Sequence, residues 1–116
     1  MAIAEIYNNS ATIGTTEYDL PTNSTTAVST QSSHGIYQLF LDLSALTATE
    51  EYRLRIYEKV RSSSTQRVLD EFIISGVQTQ PVYVTAALLL KNGWSYTLKL
   101  NQGTPRTIEW SIRQVA

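Results

Sequence analysis

The residue best suited to move protons near neutral pH is the only histidine, His34, in the polar segment Ser32-Ser33-His34-Gly35. A base beside a serine is the arrangement that activates a nucleophile. However, nucleophile and base normally come from different segments of a fold, because sequence neighbours rarely have the required geometry. We therefore interpret His34 as a loop residue that precedes a strand, and we expect no catalytic residue and no enzymatic activity.

Acidic residues occur as neighbours at Glu50-Glu51 and Asp70-Glu71, but neither pair predicts acid–base chemistry. Adjacent side chains of a strand point to opposite faces, so Asp70 and Glu71 do not converge on one substrate. Asp70 is in phase with apolar neighbours, which indicates either a partly buried acid paired with an arginine or a break in the alternation. We prefer the ion pair.

The sequence also lacks the residue patterns of metal and cofactor sites. It contains no cysteine, and its His, Asp and Glu residues do not cluster at ligand spacing. It has no glycine-rich phosphate-binding loop. We predict no metal and no cofactor.

Aromatic side chains raise the alternative of a small carbohydrate-binding module. Trp94, Tyr96 and Trp110 are the candidates for stacking on a sugar, but each is in phase with the apolar residues of its own segment. We therefore expect these three side chains to lie in the core. Three other tyrosines are less clearly placed and are candidates for surface contacts: Tyr37, Tyr57 and Tyr83.

Length and charge limit the classes of partner. A chain of 116 residues is expected to form one domain with a single core. Nine basic and ten acidic residues give a net charge of −1, which argues against nucleic acid as the main partner. The longest apolar stretch, Val84 to Leu90, is too short for a membrane helix, and the first residues lack the pattern of a signal peptide.

Period-2 alternation of apolar and polar residues is the dominant structural signal. It is strictest in Tyr52–Ile56, Trp94–Leu100 and Ile108–Arg113, and in the first of these it extends to Val60 on the apolar side. Such alternation is typical of antiparallel strands with one face on a core and one in water. Six other segments are predicted as shorter or less regular strands: Ile3–Tyr7, Ala11–Ile13, Glu17–Leu20, Ile36–Leu43, Arg67–Ile74 and Pro81–Thr85.

These segments predict an all-β fold, an antiparallel β-sandwich of about six to eight short strands, jelly-roll or immunoglobulin-like. Turns are expected at Ser62-Ser63-Ser64, Asn92-Gly93 and Asn101-Gln102-Gly103, and one helical turn at Leu46 to Glu51. We divide the chain into an N-terminal arm or edge strand, residues 1–10, and one sandwich domain, residues 11–116.

The order of several segments resembles a group of small proteins encoded by tailed bacteriophages, often near their capsid genes. The segments run from Gly35-Ile36-Tyr37-Gln38-Leu39-Phe40-Leu41-Asp42-Leu43-Ser44-Ala45-Leu46 through Arg55-Ile56-Tyr57-Glu58-Lys59-Val60, Thr65-Gln66-Arg67-Val68 and Asn92-Gly93-Trp94 to Arg106-Thr107-Ile108-Glu109-Trp110-Ser111-Ile112-Arg113. The resemblance spans roughly residues 11 to 116 and is a pattern of strands without a catalytic motif.

The resemblance implies a virion structural protein, foremost a capsid decoration or cement protein that binds the major capsid protein and stabilises the assembled head. A tail, neck or fibre component is the alternative within the virion. The implied location is the capsid surface, after synthesis in the cytoplasm of the bacterial host. Self-association as a dimer or trimer is compatible with this role, and neither nucleic acid nor membrane is expected as a partner.

The N-terminal segment supplies the candidate partner contacts. Ile3, Ile6 and Tyr7 form a short apolar strand ahead of the polar segment Asn8-Asn9-Ser10. Such a strand can add to the sheet edge of a neighbouring subunit. It can equally pair within its own sandwich, and the sequence leaves both arrangements open.

Overall fold

The chain folds into nine β-strands, as seen in a computed structural model that describes residues 2–115. No helix occurs among these residues, so none is available that could cross a membrane. The strands are β1 (Ile3–Ile13), β2 (Tyr18–Asp19), β3 (Gly35–Asp42), β4 (Glu51–Glu58), β5 (Arg67–Ser75), β6 (Val82–Val84), β7 (Leu88–Leu90), β8 (Ser95–Gln102) and β9 (Arg106–Val115).

Two antiparallel sheets pack together. The first sheet has the order β1-β9-β3, and β6 and β7 pair with the two halves of the other edge of β3. The second sheet has the order β2-β8-β4-β5. The predicted all-β antiparallel sandwich is confirmed, with nine strands instead of six to eight.

The core lies between the two sheets and consists of the inward residues of the alternating strands. Tyr52, Leu54 and Ile56 of β4 are buried, as are Ile108, Trp110 and Ile112 of β9. Because one face of each sheet packs against this core, its other face is available for solvent or for partners.

The predicted turns lie at strand connections. Residues 59–66 join β4 to β5 as a hairpin, and Gly93, with φ of 61°, precedes β8. Gly103, with φ of 95°, lies where the chain passes from the second sheet to the first. A Cβ at Gly103 would lie 2.6 Å from the backbone oxygen of Thr49, so this crossing requires glycine.

The N-terminal segment differs from the prediction of two short strands. Residues 3–13 form one strand at the edge of the first sheet, paired with β9 along its length and interrupted only by a bulge between Glu5 and Tyr7. An edge strand tolerates the polar residues Asn8, Asn9 and Ser10 because one of its sides faces solvent. The boundary between residues 10 and 11 therefore falls inside β1.

Two local expectations are wrong, and one strand was missed. β7 was not predicted, because three consecutive leucines show no alternation. Val60 is 88 % exposed, since β4 ends at Glu58 and the alternation in sequence continues into a loop. Residues 46–50 contain one turn and no helix, Glu51 already begins β4, and the carboxylate of Glu50 accepts the hydrogen bond of the Thr47 backbone N–H at 2.7 Å.

Candidate partner-binding surface

The outer face of the first sheet is built from the outward residues of β1, β3, β6, β7 and β9. In β3 the inward residues Tyr37, Leu39 and Leu41 are buried, so Ile36, Gln38, Phe40 and Asp42 point outward. Residues directly opposite each other on neighbouring strands share a face. The register of the strands therefore determines which residues form rows across this face.

One row is entirely apolar. Ile3 is opposite Val115, Val115 is opposite Ile36, and Ile36 is opposite Leu89. Ile3 is 72 % and Leu89 82 % exposed. We call these four residues the apolar row. It crosses four strands at one end of the sheet. The outward positions of alternating strands would be expected to carry polar residues, so four apolar side chains in a row form an exposed apolar strip.

Polar residues occupy the middle of the same face. The guanidinium carbon of Arg113 lies 3.8 Å from the centre of the Phe40 ring, a cation–π contact. The Ser111 hydroxyl donates a hydrogen bond to Glu5. At the far end of the face, Asp42 and Glu109 lie directly opposite each other on β3 and β9.

Two shallow depressions indent this face. One, of about 390 Å³, surrounds Ile36, Leu89 and Val115 of the apolar row and is also lined by His34 and Lys91. The other, of about 380 Å³, extends from the middle of the face to Asp42 and Glu109 at its far end. The residues lining the second depression include Glu5, Phe40, Asp42, Glu109 and Arg113. The face thus has an apolar end next to a lysine and a polar end rich in carboxylates.

The three candidate contacts of the N-terminal segment are placed differently from one another. Ile3 belongs to the exposed apolar row. Ile6 and Tyr7 are partly buried and pack against the core of their own sandwich. The Tyr7 hydroxyl donates a hydrogen bond of 2.7 Å to Gln31, and its ring meets Trp94 edge-on at 6.2 Å. Only Ile3 is therefore free to contact a partner without rearrangement.

Aromatic side chains do not form an exposed platform. Trp94, Tyr96 and Trp110 lie in the core, as predicted, and the indole N–H of Trp94 donates to the backbone oxygen of Ser33 at 2.7 Å. Tyr37 and Tyr57, two of the three tyrosines that the sequence left as candidates for surface contacts, are buried. The hydroxyl of Tyr57 reaches the carboxylate of Glu17, which covers it. Tyr83 is half-buried.

Three ion pairs stabilise the fold among the described residues: Arg53 with Glu17, Arg55 with Glu71 and Arg106 with Glu50. The ion pair expected for Asp70 forms instead with its neighbour: Nε of Arg55 lies 2.5 Å from Oε1 of Glu71, directly across the strands. A bulge opposite Ile56 and Tyr57 shifts the register, and Asp70 is exposed. This bulge is the physical reason why the alternation around Asp70 was misleading.

Asp19 and Glu50 are buried, and both carboxylates are held by polar groups of the chain. Asp19 accepts from the backbone N–H of Ser29 at 2.9 Å and from the Thr22 hydroxyl at 2.6 Å, which fastens the long loop before β3. Glu50 lies 3.0 Å from Nε of Arg106. These partners account for both groups as structural residues.

His34 is exposed, and its backbone oxygen accepts a hydrogen bond from Gln114. Trp94 and Trp110 do not form an open cleft beside it, since both are buried in the core. Within residues 2–115 no three His, Asp or Glu side chains are close enough to hold a metal ion.

The sequence pattern missed most of the apolar row. Ile36 was interpreted only as part of a central strand, and Leu89 only as part of an apolar run. An available signal was that Leu88 and Leu90 belong to one side of a short strand, which places Leu89 on the other side. The row itself depends on register between distant segments.

No family model, curated protein or solved structure matches this chain.

Proposed function

We propose that this protein is a non-enzymatic virion structural protein of a tailed bacteriophage, a capsid decoration or cement protein that binds the assembled head. The observation that carries the proposal is the apolar row, an unpartnered apolar strip on a rigid sheet. Such strips mark protein–protein contacts in soluble proteins. The resemblance in strand pattern to small phage proteins supplies the identity of the partner, the major capsid protein.

The mechanism we propose is thermodynamic. A protein that binds the assembled shell but not its dissociated subunits stabilises the shell. The stabilising free energy increases with the logarithm of the ratio of the free protein concentration to Kd. Contacts with more than one capsid subunit add avidity, because the second contact forms at a high effective concentration. Neither effect requires a catalytic group.

The apolar row is suited to this role by its rigidity as well as its chemistry. Its residues lie on β1, β3, β7 and β9, which are joined by backbone hydrogen bonds, so little order has to be gained on binding. Ile3 lies at the outer edge of the row, on the edge strand β1. A partner that covers the row would therefore also contact this edge.

The direct test adds purified protein to phage heads that lack it and measures bound copies and the melting temperature of the heads. We expect saturable binding and a higher melting temperature. Absence of binding would refute the proposal. Binding confined to tails or necks at low copy number, seen by imaging of particles, would replace the capsid role by that of a tail, neck or fibre component.

A pair of leucine variants tests whether the apolar row is the contact. Full burial of a leucine contributes about 1.5–3 kcal/mol. Leu89→Ser is therefore expected to weaken binding to heads roughly 10- to 100-fold. The matched control is Leu69→Ser, which alters a leucine on β5 of the other sheet that is also exposed. Equal binding by both variants would assign the contact to another surface.

A further inference from the structure

Cations without an ion-pair partner are concentrated at one end of the sandwich. One end, which we call the basic end, carries the β4–β5 loop and the residue after β7, with Lys59, Arg61, Arg67 and Lys91. None of these four side chains forms an ion pair with another described residue. Lys59 and Lys91 line one shallow depression of about 220 Å³.

The carboxylate of Glu58 at the basic end is engaged by the backbone. It accepts hydrogen bonds from the N–H groups of Lys59 at 3.2 Å, Lys91 at 2.9 Å and Asn92 at 2.9 Å. These N–H dipoles offset part of its charge. Four cations therefore stand against Glu58, whose charge is already offset, and the exposed Asp70 of β5, and the end carries an excess of positive charge.

The opposite end, which we call the acidic end, carries Asp42, Glu51 and Glu109. Asp42 and Glu109 lie directly opposite each other on neighbouring strands, and neither forms an ion pair with a described residue. Like charges in such positions repel and destabilise the sheet, although the backbone N–H of Ser44 donates to Asp42 at 2.9 Å and offsets part of its charge. A cation of another molecule that approaches Asp42 and Glu109 reduces this repulsion.

Exposed apolar side chains lie at both ends. Val60 and Leu89 are exposed at the basic end, and Val77, which is 68 % exposed, and Val82 at the acidic end. Each end thus combines an excess of one sign of charge with exposed apolar surface; at the acidic end Arg106 is neutralised by Glu50. The two ends of one molecule are complementary to each other.

We propose that copies of this chain associate head to tail, with the basic end of one copy on the acidic end of the next. A contact between two different surfaces of identical subunits is heterologous, and it produces a ring when the rotation closes and a filament when it does not. The proposal depends on the charge distribution alone and holds whether or not the protein binds a capsid.

The size of the ends predicts the strength of this contact. The molecule measures 40 × 31 × 20 Å, and the eleven residues of β1 extend along most of its long dimension at about 3.3 Å per residue. An end therefore offers at most 31 × 20 Å, which is less than the roughly 800 Å² per partner of a standard stable interface. We expect weak association that decreases with salt.

The test is sedimentation velocity of the purified full chain over a range of concentrations, at low and high salt. Two charge-reversed variants are compared: Arg61→Glu with Lys91→Glu, and Glu51→Lys with Glu109→Lys. The control Lys99→Glu reverses a charge on β8, away from both ends. Unfolding midpoints verify that each variant is folded.

We expect the average mass of the wild type and of the control to rise with concentration at low salt and to fall back at high salt. Each end-reversed variant alone should remain monomeric, and an equimolar mixture of the two should associate again, because reversed ends complement each other. A monomeric wild type at about 1 mM and low salt would overturn the proposal, since that corresponds to less than about 4 kcal/mol of binding free energy.

Two further outcomes would also overturn it. Association that is unchanged in both reversed variants but lost in Leu89→Ser would assign self-association to the apolar row. A mixture of the reversed variants that stays monomeric would show that the two ends do not meet, and would favour an acidic surface of another protein as the partner of the basic end.

Discussion

At the scale of single residues, two buried tyrosines differ in how their hydroxyl groups are satisfied. The Tyr52 hydroxyl donates to the backbone oxygen of Ile13 at 2.8 Å and accepts from the N–H of Arg106 at 3.0 Å. The Tyr96 hydroxyl is buried near the side chain of Thr85 but has no partner at hydrogen-bond geometry among the described residues, and burial raises the pKa of its phenol well above the ordinary value, with Thr85 offsetting part of the rise. The first hydroxyl joins three segments, whereas the second contributes no hydrogen bond.

Replacing each tyrosine by phenylalanine tests whether its hydroxyl group stabilises the folded state. Tyr52→Phe is expected to lower the free energy of unfolding by about 1–3 kcal/mol, because it leaves a backbone donor and acceptor unpaired. Tyr96→Phe is expected to leave it unchanged or to raise it by up to about 1 kcal/mol, because an unsatisfied polar group is removed. Chemical denaturation measures both values. Equal losses in the two variants would contradict the hydrogen-bond pattern.

Glu50 makes stability depend on pH. Hydrogen bonds donated by Thr49, Arg106 and Thr47 hold the pKa of its buried carboxyl well below the ordinary value of 4.5. The unfolded chain takes up the proton first as the pH falls, so this contribution to stability is complete above about pH 4.5 and is lost towards lower pH.

The variant Glu50→Gln is expected to be less stable at neutral pH and to lose less of its remaining stability between about pH 5 and pH 3. Denaturation at a series of pH values measures the slope, with Glu51→Gln as the matched control for removal of one carboxylate. A slope in Glu50→Gln as steep as in the wild type would show that other groups cause the acid dependence.

At the scale of the elements, β1 decides whether the N-terminal segment is a removable arm. It pairs with β9 from Ile3 to Ile13, and Tyr7 contacts both Gln31 and Trp94. In the sequence, Asn8, Asn9 and Ser10 separate two predicted strands. All three residues are exposed in the structure, so the edge strand β1 runs through them without placing a polar side chain in the core.

Deletion of residues 1–10 is therefore expected to lower the unfolding midpoint strongly or to prevent folding, since it exposes the edge of β9 and removes the Tyr7 contacts. Deletion of residues 1–2 alone, which precede β1, serves as the control and should leave the midpoint close to that of the full chain. An unchanged midpoint after the longer deletion would show that residues 1–10 are a dispensable arm.

At the scale of the whole molecule, the two sheets share one core. Trp94 lies just before β8 of the second sheet and Trp110 lies in β9 of the first, and both are buried in the same cluster. The indole N–H of Trp110 donates to the backbone oxygen of Leu20 at 3.2 Å, which ties the first sheet to the segment after β2. If one sheet unfolded, the inner face of the other sheet would become exposed to solvent.

We therefore expect a single cooperative unfolding transition. Tryptophan fluorescence reports on the core, and far-ultraviolet circular dichroism reports on the strands. The two signals should give coincident midpoints in denaturant, as two-state unfolding requires. Separate midpoints would show that the sheets unfold independently.

The sequence by itself determined the class of fold and much of the core. Strict alternation in β4, β8 and β9 predicted which side chains face inward, because in a strand the direction of a side chain follows from its position alone. For the same reason Trp94, Tyr96 and Trp110 were assigned correctly to the core. The all-β sandwich followed from local patterns of a few residues each.

Only the tertiary structure decided which outward residues lie together. Ile3, Ile36, Leu89 and Val115 are far apart in the chain and become neighbours through the pairing of β1, β9, β3 and β7. The approach of Asp42 to Glu109 and the separation of the basic and acidic ends have the same origin. Register and strand order depend on long-range pairing, and a bulge or a shift of one residue changes them without any change in the local pattern.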